Sequence, residues 1–171
     1  EEEADIIKND GTFALSAEMN HPKGIDVDSK GNIYIADTDN ALIRKIDIDT
    51  GVVDIVAGTR DGTASANDGG LATNTYLYEV EAVALDSEGN IYIVNKGLAV
   101  IRKVDVATGI ISAVAGKLGI FGQTGDGGLA IDALLADPSD IEIDMSGNIY
   151  FTDRANHVLR KVDGTTGIIS T

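Results

Sequence analysis

The 171 residues contain no cysteine and no tryptophan, and only two prolines, two methionines and two histidines. Without a thiol there is neither a disulfide scaffold nor a thiolate nucleophile. With so little proline, collagen-like repetition and proline-rich disorder drop out as well. No apolar run approaches the roughly 20 residues a helix needs to cross a bilayer, so no membrane span is expected. Positive charge is scarce: 13 Lys and Arg face 28 Asp and Glu, leaving a formal net charge of −15. Such a field repels a phosphate backbone. The cations are scattered, and the one recurrent basic pair, Arg-Lys, leads each time through an aliphatic residue to aspartate. No basic groove forms, and no nucleic-acid partner is expected. The remainder, 43% apolar and 24% charged with 20 glycines, has the profile of a folded globular chain. The missing cysteines, the low lysine content and a start at Glu1-Glu2-Glu3 rather than Met give an expectation of a processed, extracellular or cell-surface protein.

What is present is repetition. Gly31-Asn32 returns as Gly89-Asn90 and Gly147-Asn148, at intervals of 58 residues. Arg44, Arg102 and Arg160 keep that interval, as do Asp28, Asp86 and Asp144. Each arginine group leads into Thr50-Gly51, Thr108-Gly109 or Thr166-Gly167. Asn67-Asp68-Gly69-Gly70-Leu71-Ala72 matches Gly125-Asp126-Gly127-Gly128-Leu129-Ala130, with a decayed copy from Asn9 to Ala14. The chain is three copies of one unit: residues 1–58 with a leading loop, 59–116, and 117–171 with an incomplete last strand.

Within a unit, apolar residues alternate in short runs separated by turn residues, the pattern of β-strands. In the first copy, Ile25 and Val27 flank Asp26 in an inner strand, and Asp28-Ser29-Lys30-Gly31 makes a tight turn. Asn32 to Ala36, Leu42 to Ile48 and Val52 to Ala57 follow as the second, third and fourth strands. Ile33, Ile35, Ile43, Ile46, Val53 and Val56 make this sheet apolar on both faces, so it must be pressed between similar sheets. That predicts an all-β fold of β-propeller blades, four antiparallel strands each, in preference to a parallel β-helix, whose coils are much shorter.

From Gly125 to Ile169 the chain reads Gly-Asp-Gly-Gly-Leu-Ala, Pro-x-x-Ile-x-Ile-Asp, Gly-Asn-Ile-Tyr, Asp-x-x-Asn-His, Leu-Arg-Lys-Val-Asp and Thr-Gly-Ile-Ile. In this it resembles the long bacterial version of the NHL repeat. The resemblance implies a propeller of six blades, of which three blades are half a ring, with protein, RNA or carbohydrate recognition on one face. Three blades would leave two apolar blade faces open. Either the chain is a piece of a longer one, or further copies of it associate as a homo-oligomer.

Motifs fixed in every copy read as structure. The Gly-Asp-Gly-Gly loop could form an anion nest or a calcium loop, but its recurrence assigns it to the link between blades, and no cofactor is expected. The three arginines are expected to pair with Asp28, Asp86 and Asp144 of neighbouring blades. Tyr34, Tyr92 and Tyr150 read as packing residues. Loop tips that break the repeat are the better ligand-binding candidates, because loops carry function on a rigid frame. These are Asp37, Asp39 and Asn40, then Asn95 and Lys96, then Asp153, Arg154, Asn156 and His157. They open on the same face as the segments entering the inner strands, which include Asn20-His21-Pro22, Tyr78-Glu79-Val80 and Ala136-Asp137-Pro138. There is no Gly-x-Ser-x-Gly elbow, and the two histidines lie in different blades. The sequence is therefore read as a noncatalytic module that binds protein or glycan, or assembles through its blade faces. A metal-dependent hydrolase or lyase is the alternative, as related propeller lactonases and amidating lyases imply, with Glu79, Asp137, Asn20 and His21 as ligands; a purely structural, filament-forming subunit is the third.

Overall fold

The computed structural model describes residues 10–60 and 65–171. The Glu1 start, Asn9 of the decayed motif and part of the 59–116 unit fall outside them. Three antiparallel sheets follow one another along the chain. Blade 1 is built from β1 (Thr12–Phe13), β2 (Pro22–Val27), β3 (Ile33–Asp37), β4 (Leu42–Ile46) and β5 (Val52–Ala57), in the order β1-β5-β4-β3-β2. Blade 2 contains β6 (Val80–Leu85), β7 (Ile91–Asn95), β8 (Val100–Val104) and β9 (Ile111–Ala115). Blade 3 contains β10 (Pro138–Ile143), β11 (Ile149–Asp153), β12 (Val158–Val162) and β13 (Ile169–Ser170). The register repeats with the sequence: Tyr34 opposes Lys45, Tyr92 opposes Lys103 and Tyr150 opposes Lys161.

The inner strands β2, β6 and β10 lie side by side, so the blades stack radially. Between blades 1 and 2, Ala36, Ile43 and Ala57 pack with Leu77, Val83 and Ile93 in one buried cluster. Between blades 2 and 3, Val94 and Ile101 pack with Leu135, Ile141 and Phe151 in another. Each fully buried Leu, Ile or Phe contributes about 1.5–3 kcal/mol, and both faces of blade 2 draw on it. Gly24 marks the closest approach: a Cβ built there would stand 2.5 Å from the Cα of Ala82.

Several details differ from the sequence reading. The third strand stops at Ile46, because Asp47 starts a turn in which its side chain accepts the Thr50 N–H at 2.9 Å. The linker between blades does more than connect. β1 adds a short fifth strand to the outer edge of blade 1, and at the same edge of blades 2 and 3 the preceding linker makes a single bridge, Leu71 to Ile110 and Leu129 to Ile168. This covers an edge that would otherwise expose unpaired backbone.

The arginine assignment is corrected as well. Arg44 meets Asp37 of its own blade (Nε to Oδ2, 3.0 Å), Arg160 meets Asp153 (3.1 Å), and Arg102 meets Asp68 of the linker (3.1 Å). In each, the Nε–H points off the line to the oxygen, so the contact acts through charge more than as a straight hydrogen bond. Arg44 Nη1 also donates to the Glu18 carbonyl at 3.0 Å. Asp28, Asp86 and Asp144 have another task. Asp28 Oδ1 accepts the N–H groups of Lys30 and Asn32, its Oδ2 accepts Asn32 Nδ2, and Asn32 Oδ1 accepts the Ile48 N–H. The box recurs at Asp86-Asn90 and Asp144-Asn148, which is why Gly-Asn repeats.

Finally, only one end face is plainly apolar. Blade 1 exposes Ile25 (64%) and Val27 (52%), whereas blade 3 exposes Asp140 and Glu142 beside Leu159.

Candidate functional site

In every blade a single 3₁₀ turn joins the second strand to the third: Thr38–Asn40, Lys96–Leu98 and Arg154–Asn156. Each ends on a left-handed residue that is not glycine, namely Ala41 (φ 55°), Ala99 (φ 50°) and His157 (φ 58°). A second set of left-handed residues, His21 (48°), Glu79 (50°) and Asp137 (62°), stands where the chain enters the inner strands. Such residues each cost on the order of 1–2 kcal/mol and persist only where surroundings hold them. The hold is visible: Asp39 N–H donates to the Asn20 carbonyl, Lys96 N–H to Glu79 and Arg154 N–H to Asp137, at 3.0–3.2 Å. Turn and entering segment are thereby stapled together on one mouth of the stacked blades.

The structure sorts the candidate residues into two groups. Asp37, Asn95 and Asp153 are fully buried, and Asn40 nearly so. Asp37 accepts the Asn20 N–H (2.7 Å) and Asn40 Nδ2 (2.9 Å) besides meeting Arg44, and Asp153 does the same for the Ala136 N–H and Asn156 Nδ2 (both 2.8 Å). Asn95 donates to the Tyr78 carbonyl. Asn156 also donates to the Gly122 carbonyl at 2.8 Å. The polar atoms of these five residues are engaged in holding the turns. Asp39, Arg154 and His157 are exposed, and Lys96 is half-buried. Of these, Asp39, Lys96 and Arg154 share the mouth. His157 occupies the repeat position where Ala99 is buried between blades 2 and 3, which assigns it to the open face of blade 3.

Sequence reasoning missed the pairing at the mouth. Lys23 meets Glu81 of the next blade at 2.8 Å. Lys96 faces Asp137 (3.5 Å), Glu81 (3.9 Å) and Glu79 (4.0 Å), while Arg154 Nη2 meets Asp137 at 2.6 Å. His21 Nδ1 contacts Asp39 Oδ2. Lys23, Lys96 and Arg154 thus pair with Glu79, Glu81 and Asp137, beside the Asp39 carboxylate that meets His21, in a chain of net charge −15. Ion pairs near a surface are each worth about 0–1 kcal/mol, and here the part-buried groups of three blades share partners in one network. The signal was there to find: Lys23 and Glu81 are opposite charges at one repeat position.

Between blades 2 and 3 the mouth holds a cleft of about 340 Å³ lined by Tyr78, Lys96, Gly97, Phe121, Asp137 and Ala155 among others. Its size lies at the small end of the roughly 300–1,000 Å³ range of ligand sites. Tyr78 and Phe121 are half-exposed, at 47% and 56%. A Cβ at Gly97 would strike the Tyr78 ring at 2.3 Å, so glycine lets that ring lie across the turn. The loop bearing Phe121 is pinned by Gly119 N–H to the Leu98 carbonyl (2.8 Å) and Gly122 N–H to the Leu135 carbonyl (3.0 Å).

At the opposite mouth a hollow of about 490 Å³ is lined by the hairpin carboxylates. Hydrogen bonds from the side chain and backbone N–H of Asn148 hold the Asp144 carboxyl below its usual range. At Asp28 and Asp86 burial pushes the other way, and the Asn32 and Asn90 hydrogen bonds outweigh it. Lys45, Lys103 and Lys161 lie 6.0, 5.4 and 5.6 Å from the ring centroids of Tyr34, Tyr92 and Tyr150, a repeated structural contact. Among the described residues no three His, Asp or Glu side chains form a group that could hold a metal ion, and no helix is long and apolar enough to cross a membrane.

Comparison with known proteins agrees with the geometry. The sequence model of the Teneurin NHL domain matches residues 7–67. The chain is 48% identical over 52 residues to NHL repeat-containing protein 2 of Gallus gallus, covering 30% of this chain and 7% of that protein. It is 31% identical over 148 residues to Teneurin-3 of Danio rerio, covering 77% of this chain and 5% of that protein. It therefore spans only a small part of these curated relatives. Among solved structures, a Bacteroides thetaiotaomicron protein of unknown function superposes with a TM-score of 0.73 at 24% identity, over 88% of this chain and 37% of the other.

Proposed function

The chain belongs with the NHL-repeat β-propellers, and from that premise we propose that it is a noncatalytic recognition module, working outside the cytoplasm, whose mouth engages a protein or a glycan. The observation that carries this reading is the cleft between blades 2 and 3. Its Phe121 wall is held by a pinned loop, its polar groups are the Lys96 ammonium between the carboxylates of Glu79 and Asp137, and Arg154, paired with Asp137 beside it, brings the local charges into balance within a strongly acidic chain. A neutral, preorganised surface of this kind suits a ligand recognised by stacking and short-range hydrogen bonds, where long-range attraction would play little part. The end faces are the second part of the reading: each takes a further blade, supplied by a longer chain or by another copy of this one.

The test uses two probes, an array of neutral and acidic oligosaccharides and an array of immobilised peptides. Wild-type protein is compared with Tyr78→Ala and Lys96→Ala, neither of which touches the buried arginine–aspartate frame. Binding on either array that falls about tenfold or more in both variants, with melting temperature unchanged, supports the mouth. Binding that survives both changes, or is absent from both arrays, overturns it.

A further inference from the structure

The charged groups around the cleft between blades 2 and 3 have different tasks. Glu81 is taken up by Lys23, whose Nζ donates to its two oxygens at 3.0 and 2.8 Å. Asp137 Oδ2 accepts from Arg154 Nε at 2.7 Å, and its Oδ1 is closed to solvent. These two pairs cancel, and what remains is Lys96 and Glu79. Lys96 Nζ stands 3.5 Å from Asp137, 3.9 Å from Glu81 and 4.0 Å from Glu79, at or beyond the reach of a hydrogen bond, and it donates to none of them. The half-exposed Glu79 carboxylate accepts no hydrogen bond among the described residues. Held in place by charge alone, the ammonium keeps its N–H donors for another partner.

Both groups border an aromatic surface. The Tyr78 ring lies across Gly97 and is backed by Tyr76, with ring centroids 6.2 Å apart. Phe121 stands on the pinned loop. A donor-only ammonium and an acceptor-only carboxylate are thus set 4.0 Å apart beside two half-exposed rings, in a cleft of about 340 Å³. A neutral pyranose meets all of these at once. Its adjacent hydroxyls each donate and accept, its C–H face suits an aromatic ring, and its rigidity keeps the entropy cost of binding low. A peptide fits less well, because turns and a linker wall the cleft, so it offers no sheet edge for a strand to join and too little volume to seat a helix. A charged ligand would find no net charge to meet it.

We propose that the cleft seats one neutral sugar ring of a glycan: one hydroxyl accepts from Lys96 Nζ, an adjacent hydroxyl donates to Glu79, and the C–H face rests on Tyr78 and Phe121. This depends on the reading that the mouth binds a ligand, and it decides between protein and glycan. Asp137 and Arg154 are positioning residues that keep Lys96 at the cleft. With so few contacts a single ring binds weakly, with a Kd of about 1 mM.

Titration of isotope-labelled protein with the methyl glycosides of glucose, galactose and mannose, followed by NMR, provides the test, alongside the matching uronic acids and amino sugars. Wild type is expected to bind at least one neutral glycoside, moving the resonances of Tyr78, Gly97 and Phe121, and to bind its charged counterparts more weakly. Glu79→Gln keeps an acceptor oxygen but removes a negative charge, so preference should shift about tenfold toward the uronic acid; Lys96→Gln should shift it about as far toward the amino sugar. A residue that merely held its turn would produce neither shift. Circular dichroism and melting verify that both variants fold. Should either fail to fold, monodeoxy glycosides probe the same contacts on wild type, and removal of either of two neighbouring hydroxyls should weaken binding about tenfold. Charge preference that both folded variants leave unchanged, monodeoxy glycosides that all bind as tightly as the parent, or a wild type that prefers a charged sugar overturns this inference. Peptides that bind in a Tyr78- and Lys96-dependent way, with no neutral glycoside bound, overturn it while the reading of the mouth stands. Binding of neither class overturns both.

Discussion

Replacing Arg44 by methionine probes the frame at its most buried charge. Arg44 is 1% exposed and Asp37 is 0% exposed, so the change leaves a carboxylate inside the protein with its cation gone. Two hydrogen bonds to Asp37, from Asn20 N–H and Asn40 Nδ2, remain and do not neutralise it. Breaking a buried pair by removing one member costs about 3–5 kcal/mol, which for a chain of this length lowers the melting temperature by roughly 6–20 °C. Blade 2 contains the remedy. There the matching residue is neutral, Asn95, and Arg102 finds its carboxylate on the linker at Asp68 instead. Combining Arg44→Met with Asp37→Asn should therefore recover much of the loss, leaving a deficit of about 1–2 kcal/mol from hydrogen bonds alone. Thermal and urea unfolding followed by circular dichroism measure both variants. A single variant within about 1 kcal/mol of wild type, or a double variant no better than the single, would refute the assignment of this pair as a buried charge contact.

Gly24→Val forces a side chain into the 2.5 Å approach to Ala82 and is expected to cost about 1–3 kcal/mol by urea unfolding, whereas the same change at Gly69, where nothing lies within 4 Å, adds no such packing clash and reports only its left-handed backbone. Asp26→Ala orphans the Leu85 N–H and should accelerate hydrogen exchange at that amide in particular. Because the folded-state pKa values of Asp28, Asp86 and Asp144 lie below the ordinary carboxylate value of about 3.9, their stabilisation is complete above that pH and disappears as the pH falls through the folded values. Stability measured from neutral pH downward should hold to about pH 4 and then fall, and Asp144→Asn should flatten that acid limb.

The blades were legible in the sequence because repetition and two-sided apolarity state the same fact twice. Ile33, Ile35, Ile43 and Val53 cannot all be buried by one sheet, and a 58-residue interval supplies the neighbours. Polar partners were less legible. Arg44, Arg102 and Arg160 recur with Asp28, Asp86 and Asp144 at one spacing, which invites pairing them, but the aspartates sit at the hairpin and the arginines mid-strand by the mouth. Strand register decides that, and the Asp28-x-x-x-Asn32 box is the local competitor that prevails. The candidate site divided for a similar reason. Asp37 and Asp153 stand next to exposed tips in the sequence, yet each closes a strand and turns inward to hold the entering segment. Tyr78 and Phe121 come together only through the pinned loop before blade 3, a contact that no spacing in the sequence announces.

The most direct measurement of blade stacking is a proton–proton Overhauser effect between Gly24 and Ala82, 58 positions apart. Radially stacked inner strands place the α-protons of these two residues in contact and give a strong cross-peak, joined by one between the Leu85 amide and the strand bearing Asp26. A spectrum in which Gly24 shows contacts only within its own sheet would contradict the stacked architecture.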